Sequence, residues 1–296
     1  MISVVIPAHN EEEVIARSIG ALIAGASEGE LEVIVACNGC RDRTADVARS
    51  CGAVVRVIET EIASKAHALN LGDDAATGWP RFYVDADVVL SLDALRKMAA
   101  LLKESDVLAV APDFNMELTG CSWPVRAFFH INDLLPSSRE GIGTSGVYGL
   151  SELGRRRFQQ FPQIIADDAF VRIQFRPEER KTERGCWSTV FAPRALEQLI
   201  AIKSRSHFGT WEVRRLYPQL WANMGAGNVQ ILMLLGLRPW LWPKLAVYGY
   251  VKVLARLRAI RRLRAGDHKL WERDQSSRQL LDPVSSCTTG EASRTK

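Results

Sequence analysis

With 296 residues, 47% of them hydrophobic and 24% charged, the chain is long enough to bury a sizeable core and has the composition of an ordinary globular protein. A formal net charge of +4 singles out no partner class. The six cysteines (Cys37, Cys40, Cys51, Cys121, Cys186 and Cys287) lack framework spacing, which argues against a disulfide scaffold and for a reducing compartment. The opening MISVVIPAHNEEE has no basic segment ahead of its apolar run and does not read as a secretory leader, so a cytoplasmic protein is expected.

Residues 2–6 are an apolar run closed by Pro7, the pattern of a buried strand. Over 11–24, Val14, Ile15, Ile19, Leu22 and Ile23 recur at helical spacing, with acids at the front where the helix dipole favours them. Strands are then expected over 31–37, 54–58, 81–85 and 107–111. Helices are expected over 44–51, 65–75 and 92–103, the last with Leu95, Met98, Ala99 and Leu102 on one face. This alternation predicts an α/β fold with a mostly parallel sheet flanked by helices, which binds ligands at the carboxyl ends of its strands. After Asn115 the pattern suggests a helix over 121–135, a glycine-rich loop over 141–149 and a helix over 195–202 after Pro193. A polar tail over 274–296, rich in Ser and Thr, reads as disordered.

The central chemical motif is Asp85-Ala86-Asp87, two carboxylates delivered to a loop by the apolar strand Phe82-Tyr83-Val84. Acids this close repel unless a cation sits near them. A hard divalent ion bound by one or two carboxylates fills its remaining positions with water and diphosphate oxygens. The pair therefore suits a metal that holds a nucleoside diphosphate, although so short a motif is more often a solvated strand end.

Five further segments change that balance: Ile6-Pro7-Ala8-His9-Asn10-Glu11-Glu12, Asn38-Gly39-Cys40-Arg41-Asp42-Arg43-Thr44, Lys65-Ala66-His67-Ala68-Leu69-Asn70, Gly143-Thr144-Ser145-Gly146-Val147-Tyr148-Gly149 and Ala166-Asp167-Asp168. With Asp85-Ala86-Asp87 this series resembles the family 2 glycosyltransferases over roughly residues 3–209. The resemblance implies the GT-A fold, a nucleotide-sugar donor, a divalent Mn or Mg ion, and transfer by direct displacement with inversion at the anomeric carbon. It also implies roles. Pro7, Ala8 and Glu11 would line the nucleoside, with Glu11 in reach of a ribose hydroxyl. Asn38 stands where the family commonly has an aspartate that reads uracil, and an amide, able to donate and accept, need not enforce that base. Lys65 matches the family's lysine, Asp85 would face ribose or base, and Asp87 would face the metal. Gly146, Val147 and Tyr148 would belong to the acceptor loop, and Asp168 would be the base that takes the proton from the acceptor hydroxyl.

Further along, Lys203-Ser204-Arg205-Ser206-His207-Phe208-Gly209 resembles the family's basic segment, with Arg205 the candidate for a diphosphate contact. The processive signature Gln-x-x-Arg-Trp does not occur, which argues for one sugar per acceptor. The run Arg155-Arg156-Arg157 could touch an anionic acceptor, but such runs are usually a solvated helix face. Cys37-x-x-Cys40 lacks a second ligand pair at zinc spacing and reads as structural.

Between Val213 and Gly266 there is no acid, and Arg214, Arg238, Lys244, Lys252, Arg256 and Arg258 are among the basic residues there. Within it, residues 229–264 mix Trp240, Trp242, Tyr248 and Tyr250 with aliphatic and basic side chains, and no uncharged stretch reaches the roughly 18 residues of a membrane span. That pattern fits peripheral contact with the inner face of the cell membrane, and a lipid-linked acceptor would explain it. The expected organisation is a catalytic domain over 1–212, with a nucleotide half to about 115 and an acceptor half beyond, then a helical extension over 213–273 and the tail. The expected function is transfer of a hexose-type sugar, from UDP by expectation, to a hydroxyl of a glycan or lipid-linked acceptor, without nucleic acid. Three rivals fare worse. A sugar-1-phosphate nucleotidyltransferase wants a glycine-rich loop where residues 8–12 have no glycine and two acids. An inactive nucleotide-binding membrane protein need not have kept Asp85, Asp87, Asp167 and Asp168, and a dinucleotide dehydrogenase wants Gly-x-Gly-x-x-Gly in the first turn.

Overall fold

The computed structural model describes residues 1–139, 142–225 and 227–265. The polar tail over 274–296, the end of the basic extension from 266 to 273 and Gly141 lie outside the described residues.

The first half is built from β1 (Ile2–Ala8), α1 (Ile15–Ile23), β2 (Leu31–Asn38), α2 (Thr44–Ser50), β3 (Val55–Thr60), α3 (Lys65–Ala75) and β4 (Arg81–Val84). β1 runs parallel to β2, with Ile2 opposite Leu31 and Ala8 opposite Cys37, and parallel to β4 on its other side. Every residue of β1 is buried. Its alternating side chains serve two layers: Val4 and Ile6 pack with Ile15, Ile19 and Leu22 of α1, and Val5 packs towards Leu69 of α3. A strand covered on both faces has no polar face, which is why it reads as an unbroken apolar run.

The acids expected to open α1 do not lie in it. The helix begins at Ile15. The Glu11 carbonyl accepts from the N–H groups of Val14 and Ile15 at 3.0 and 2.9 Å, and the Glu11 N–H donates to Thr44 Oγ1 at 2.7 Å. The acidic run is thus held as a turn by the neighbouring loop before the helix starts.

The second half comprises β5 (Val89–Leu90), α4 (Leu92–Glu104), β6 (Ala109–Glu117), α5 (Trp123–Asp133), β7 (Val147–Leu150), α6 (Glu152–Arg155), α7 (Asp167–Ile173), β8 (Arg180–Phe191), α8 (Leu196–Leu216), α9 (Val229–Gly236) and α10 (Trp242–Ala265). The described strands form a sheet ordered β3-β2-β1-β4-β7-β6-β8-β5. The parallel pattern holds from β3 to β4; β7 then enters antiparallel to both β4 and β6, so the sheet as a whole is mixed. β6 outruns its expected end at Ala111 because Pro112, which has no N–H to donate, sits at a register shift against β8.

α8 also outruns expectation, continuing from Leu196 to Leu216, so the basic segment 203–209 is helix rather than loop. Gly209 permits this. A Cβ there would lie 2.8 Å from the Cβ of Ala166, so the missing side chain lets α8 pass the start of α7. α5, α8, α9 and α10 share a third apolar cluster that includes Phe128, Leu199, Leu235, Tyr248 and Val251. No described helix is long and apolar enough to cross a membrane.

Candidate active site

The carboxyl ends of β1, β2 and β4 meet α7, β7 and α8 around a cavity of about 370 Å³. The first two loops are tied by short polar bonds. Asn38 Nδ2 donates to the Ala8 carbonyl at 2.8 Å, and the Arg41 N–H donates to Asn10 Oδ1 at 2.6 Å. Asn10 takes a positive φ of 53°, which asparagine tolerates better than most residues. Pro7, Glu11 and Asn38 line the cavity. Ala8 does not: its side chain is 1% exposed in the core, and its contribution is the carbonyl that fixes Asn38. The cysteine pair belongs to the same scaffold. Cys37 is buried, and Cys40 Sγ accepts from the Asn10 N–H at 3.3 Å.

Lys65 opens α3 behind Ser64, whose hydroxyl caps the helix by accepting from the His67 N–H. Its Nζ lies 2.8 Å from Asp85 Oδ1 and 2.9 Å from Asp167 Oδ1. Burial alone would lower the Lys65 pKa, but the two carboxylates overcome it and hold the amine well above its ordinary value. The lysine therefore joins the end of β4 to the start of α7 across the cavity.

All four carboxylates line the cavity, and Lys65 engages one member of each pair. Asp87 faces Arg17 of α1, whose guanidinium stacks 4.0 Å from the centre of the Phe191 ring. Burial lowers the Arg17 pKa, and Asp87 opposes the shift. Asp168 lines the cavity beside Gly143, and its carboxyl pKa is pushed up to about 6 by burial and by the charge of Asp167, against the pull of Lys65. Asp167 is 4% exposed and also accepts from the Tyr148 hydroxyl at 3.5 Å. The two neighbours therefore have different surroundings, one paired with Lys65 and one outside that ion pair.

Gly146, Val147 and Tyr148 line the cavity, though Val147 and Tyr148 stand on β7 rather than in a loop. The loop that precedes them crosses the end of β4 closely: Gly146 has φ of 64°, and a Cβ there would lie 2.5 Å from Val88 Cγ2. Its carbonyl accepts from the Asp85 N–H at 2.9 Å, which fixes the direction of the acidic turn. Arg205 lines the opposite wall from α8.

The Arg155–Arg157 run does not reach the cavity. Arg155 is buried and pairs with Asp73 at 2.8 Å, beside Arg81, which also pairs with Asp73 at 2.8 Å. Arg156 and Arg157 pair with Glu152 and Glu179 at 2.6 and 2.7 Å. Tyr83 donates to Asp73 and stacks on Tyr148 at 4.9 Å, so this buried ionic layer supports the floor of the site instead of touching an acceptor.

Among the described residues no group of three or more His, Cys, Asp or Glu side chains could hold a metal ion. A lone hard oxygen donor such as Asp87 fits an ion that draws its other ligands from a diphosphate and water.

The sequence profile of the family described as glycosyl transferase family 2 matches residues 3–159, more than half of the chain. The chain belongs to glycosyl transferase family 2. No curated protein matches it in sequence. Its fold is similar to that of a mannosyltransferase from Pyrobaculum calidifontis in complex with GDP-Man and Mn²⁺, at 18% identity and a TM-score of 0.62, covering 88% of this chain and 86% of that one. It is also similar to glucosyl-3-phosphoglycerate synthase from Mycobacterium tuberculosis. The complex with phosphoglyceric acid aligns at 19% identity and a TM-score of 0.53 over 73% of this chain and 79% of that one. The complex with Mn²⁺, UDP-glucose and phosphoglyceric acid aligns at 20% and 0.52 over 72% and 79%. The chain is thus a GT-A glycosyltransferase.

Sequence reading missed Arg17 altogether, and in the basic segment it singled out Arg205 and gave Lys203 no role of its own. Arg17 faces Asp87, but its position in a helical run gives no sign of that. Lys203 lines the cavity, but with α8 expected to end at Ile202 there was no face on which to put it.

Proposed function

We propose that this family 2 glycosyltransferase moves one sugar from a nucleoside diphosphate to an acceptor hydroxyl, with inversion, Asp168 acting as base and Asp87 holding the metal. The observation that carries the reading is the Lys65 bridge. One cation engages Asp85 and Asp167, and leaves Asp87 and Asp168, which line the same cavity, outside that ion pair. Asp168, raised to about 6, is a carboxylate at neutral pH yet basic enough to take a proton as the bond forms. The acceptor oxygen bonds to the anomeric carbon, its proton passes to Asp168, and the bond from that carbon to the diphosphate breaks, so the nucleoside diphosphate leaves with the electron pair. A divalent Mn or Mg ion, when bound, supplies positive charge for that leaving group. Arg205 adds charge from the opposite wall, and Pro7, Glu11 and Asn38 hold the nucleoside. Asn38 gives its Nδ2 to Ala8, which leaves Oδ1 to accept from a base N–H. Both uracil and guanine present one, so UDP and GDP are the donors to test.

The acceptor is a glycan or lipid-linked molecule. Membrane contact is supported by the outer surface of the C-terminal helices, where Met233, Leu237 and Trp240 are 68%, 78% and 72% exposed beside Arg238. An acid-free apolar and basic surface fits the interface of an anionic leaflet. The test of the reaction is NMR of the sugar released by slow hydrolysis of α-linked UDP- and GDP-sugars with Mn²⁺. The β anomer is expected first; first release of the α anomer would overturn direct displacement.

A further inference from the structure

The acceptor end of the cavity carries a cation, Lys203, that forms no ion pair with a described carboxylate and feels Asp168 only at longer range. Lys203 points from α8 towards α5, its Nζ 5.6 and 5.7 Å from the ring centres of Phe128 and Phe129. It lines the cavity together with Phe114, Met116, Leu199 and Ile202. Among the described residues no carboxylate forms an ion pair with it; those two rings are its partners.

More positive charge stands behind it on α10. Lys252 lies 5.6 Å from the Tyr248 ring, which itself stacks on Phe128 at 5.0 Å, and Arg256 lies 5.7 Å from the Trp211 ring. His207, one turn along α8, is pushed down to about 4 by burial and by Lys252, Lys203 and Arg256, so it is neutral at pH 7. Burial and Lys252 also push Lys203 down to about 8, against the attraction of Asp168. Packing these cations around aromatic rings, with Asp168 attracting Lys203 only at longer range, is unfavourable for the empty protein, and cation–π contact recovers only part of the lost hydration.

The space beside Lys203 has a second feature. Phe114, Met116, Phe129 and Asn132 line the main cavity and also a second recess that continues to Trp123 and Lys244. An occupant of the acceptor end thus meets a lysine at one point and the apolar side chains of Phe114, Met116 and Phe129 beside it, at the mouth of a recess of mixed polarity that also holds Arg126, Arg139 and Lys244.

Building on the glycosyltransferase reading, we propose that Lys203, backed by Lys252 and Arg256, is the subsite for a phosphate ester on the acceptor, whose apolar portion lies against Phe114, Met116 and Phe129. Lys203 supplies the direct contact, and the added positive field of Lys252 favours a dianion over a carboxylate. Asp168, within electrostatic reach of Lys203, then meets a hydroxyl carried by the same molecule. The ester is either a lipid head group or a soluble phosphate, and the two leave different marks on binding.

The test is calorimetric titration of the full chain with dodecyl phosphate below its micelle concentration, with glycerol 3-phosphate, and with the neutral dodecyl maltoside, alongside UDP and GDP with Mn²⁺. Saturable dodecyl phosphate binding is expected, weakened at least tenfold in Lys203→Met, kept in Lys203→Arg, and lost as pH rises through about 8, where Lys203 gives up its proton. Nucleotide affinity should stay within twofold in Lys203→Met. Glycerol 3-phosphate binding as tightly as dodecyl phosphate, and equally dependent on Lys203, supports the subsite and makes the acceptor soluble; a clear advantage for dodecyl phosphate supports it and makes the acceptor a lipid. The proposal is overturned if Lys203→Met binds dodecyl phosphate like the wild type, if dodecyl maltoside binds as well, or if the variant loses nucleotide instead, which would put Lys203 on the donor diphosphate. Wild-type protein that binds dodecyl phosphate through Lys203 but no nucleotide would leave the anion site standing and remove the donor reading.

Discussion

The end of β4 and the start of α7 each present two carboxylates to the same cavity, and they solve the same problem in different ways. At β4 the pair is one residue apart: Asp85 turns to Lys65 and Asp87 towards Arg17. At α7 the pair is adjacent: Asp167 sinks to Lys65 and Tyr148, while Asp168 keeps the cavity wall and a raised pKa. The first pair has a cation near each acid; in the second, Asp167 holds Lys65 directly while Asp168 feels Lys65 and Lys203 only at longer range. That difference separates the uses of the pairs. An acid near balanced charge suits a metal ligand that must stay ionised, and an acid left beside another carboxylate suits a base that must accept a proton.

The largest effect that follows from this asymmetry is on turnover. Asp168→Asn should lower transfer by about a hundredfold to ten-thousandfold, with nucleotide binding retained. Asp167→Asn should act mainly through stability, because it strips Lys65 of one of its two partners. Transfer rates and nucleotide affinities of the two variants separate these outcomes, and a near-normal Asp168→Asn beside a dead Asp167→Asn would exchange the roles.

Lys65→Met should come next. It leaves Asp85 and Asp167 without their shared cation, a loss of about 3 kcal/mol of stability for a partly buried group, readable by denaturant unfolding. It also removes the pull that restrains Asp168, so the Asp168 pKa should climb further. Because the base must be ionised, kcat/KM in the wild type should rise with pH through about 6 and level off above it. In Lys65→Met that limb should move to higher pH; an unmoved limb would mean that the titrating base is not coupled to Lys65.

The smallest effect concerns the surface far from both pairs. The full chain should sediment with vesicles containing anionic lipid and be released by salt, each basic residue near the surface contributing about 1 kcal/mol. Equal binding to neutral vesicles would remove the electrostatic part of this surface, and Leu237→Glu with Trp240→Glu should abolish its apolar part.

The same contrast explains what the sequence could disclose. The parallel half was legible because β1 and β2 are buried on both faces and announce themselves as apolar runs, each followed by a motif of fixed spacing. Asp85 and Asp87 were legible as the end of an apolar strand, whereas Asp167 and Asp168 were placed by the resemblance alone, since no helix was expected where α7 begins. The continuation of α8 was not legible, because the run 203–209 is basic and polar and reads as a motif instead of a helix; the contact with Ala166 that Gly209 permits lies on another element. The Arg155 run misled for a similar reason, since its partner Asp73 is 82 residues away in sequence. Ala8 shows the limit of motif transfer, because its position matches the nucleotide loop while its side chain faces the core.

A nucleotide-dependent metal site held by Asp87 alone among the acids can be read most directly from thermal unfolding with Mn²⁺, UDP and GDP in all combinations. A ligand that binds only the folded state raises the melting temperature by mass action. Mn²⁺ should raise it strongly only together with a nucleoside diphosphate, and Asp87→Ala should abolish that joint effect while the ligand-free variant, with Arg17 deprived of its facing carboxylate, still unfolds in one cooperative transition. Equal stabilisation by Mn²⁺ without nucleotide, or an undiminished joint effect in Asp87→Ala, would contradict this reading of Asp87.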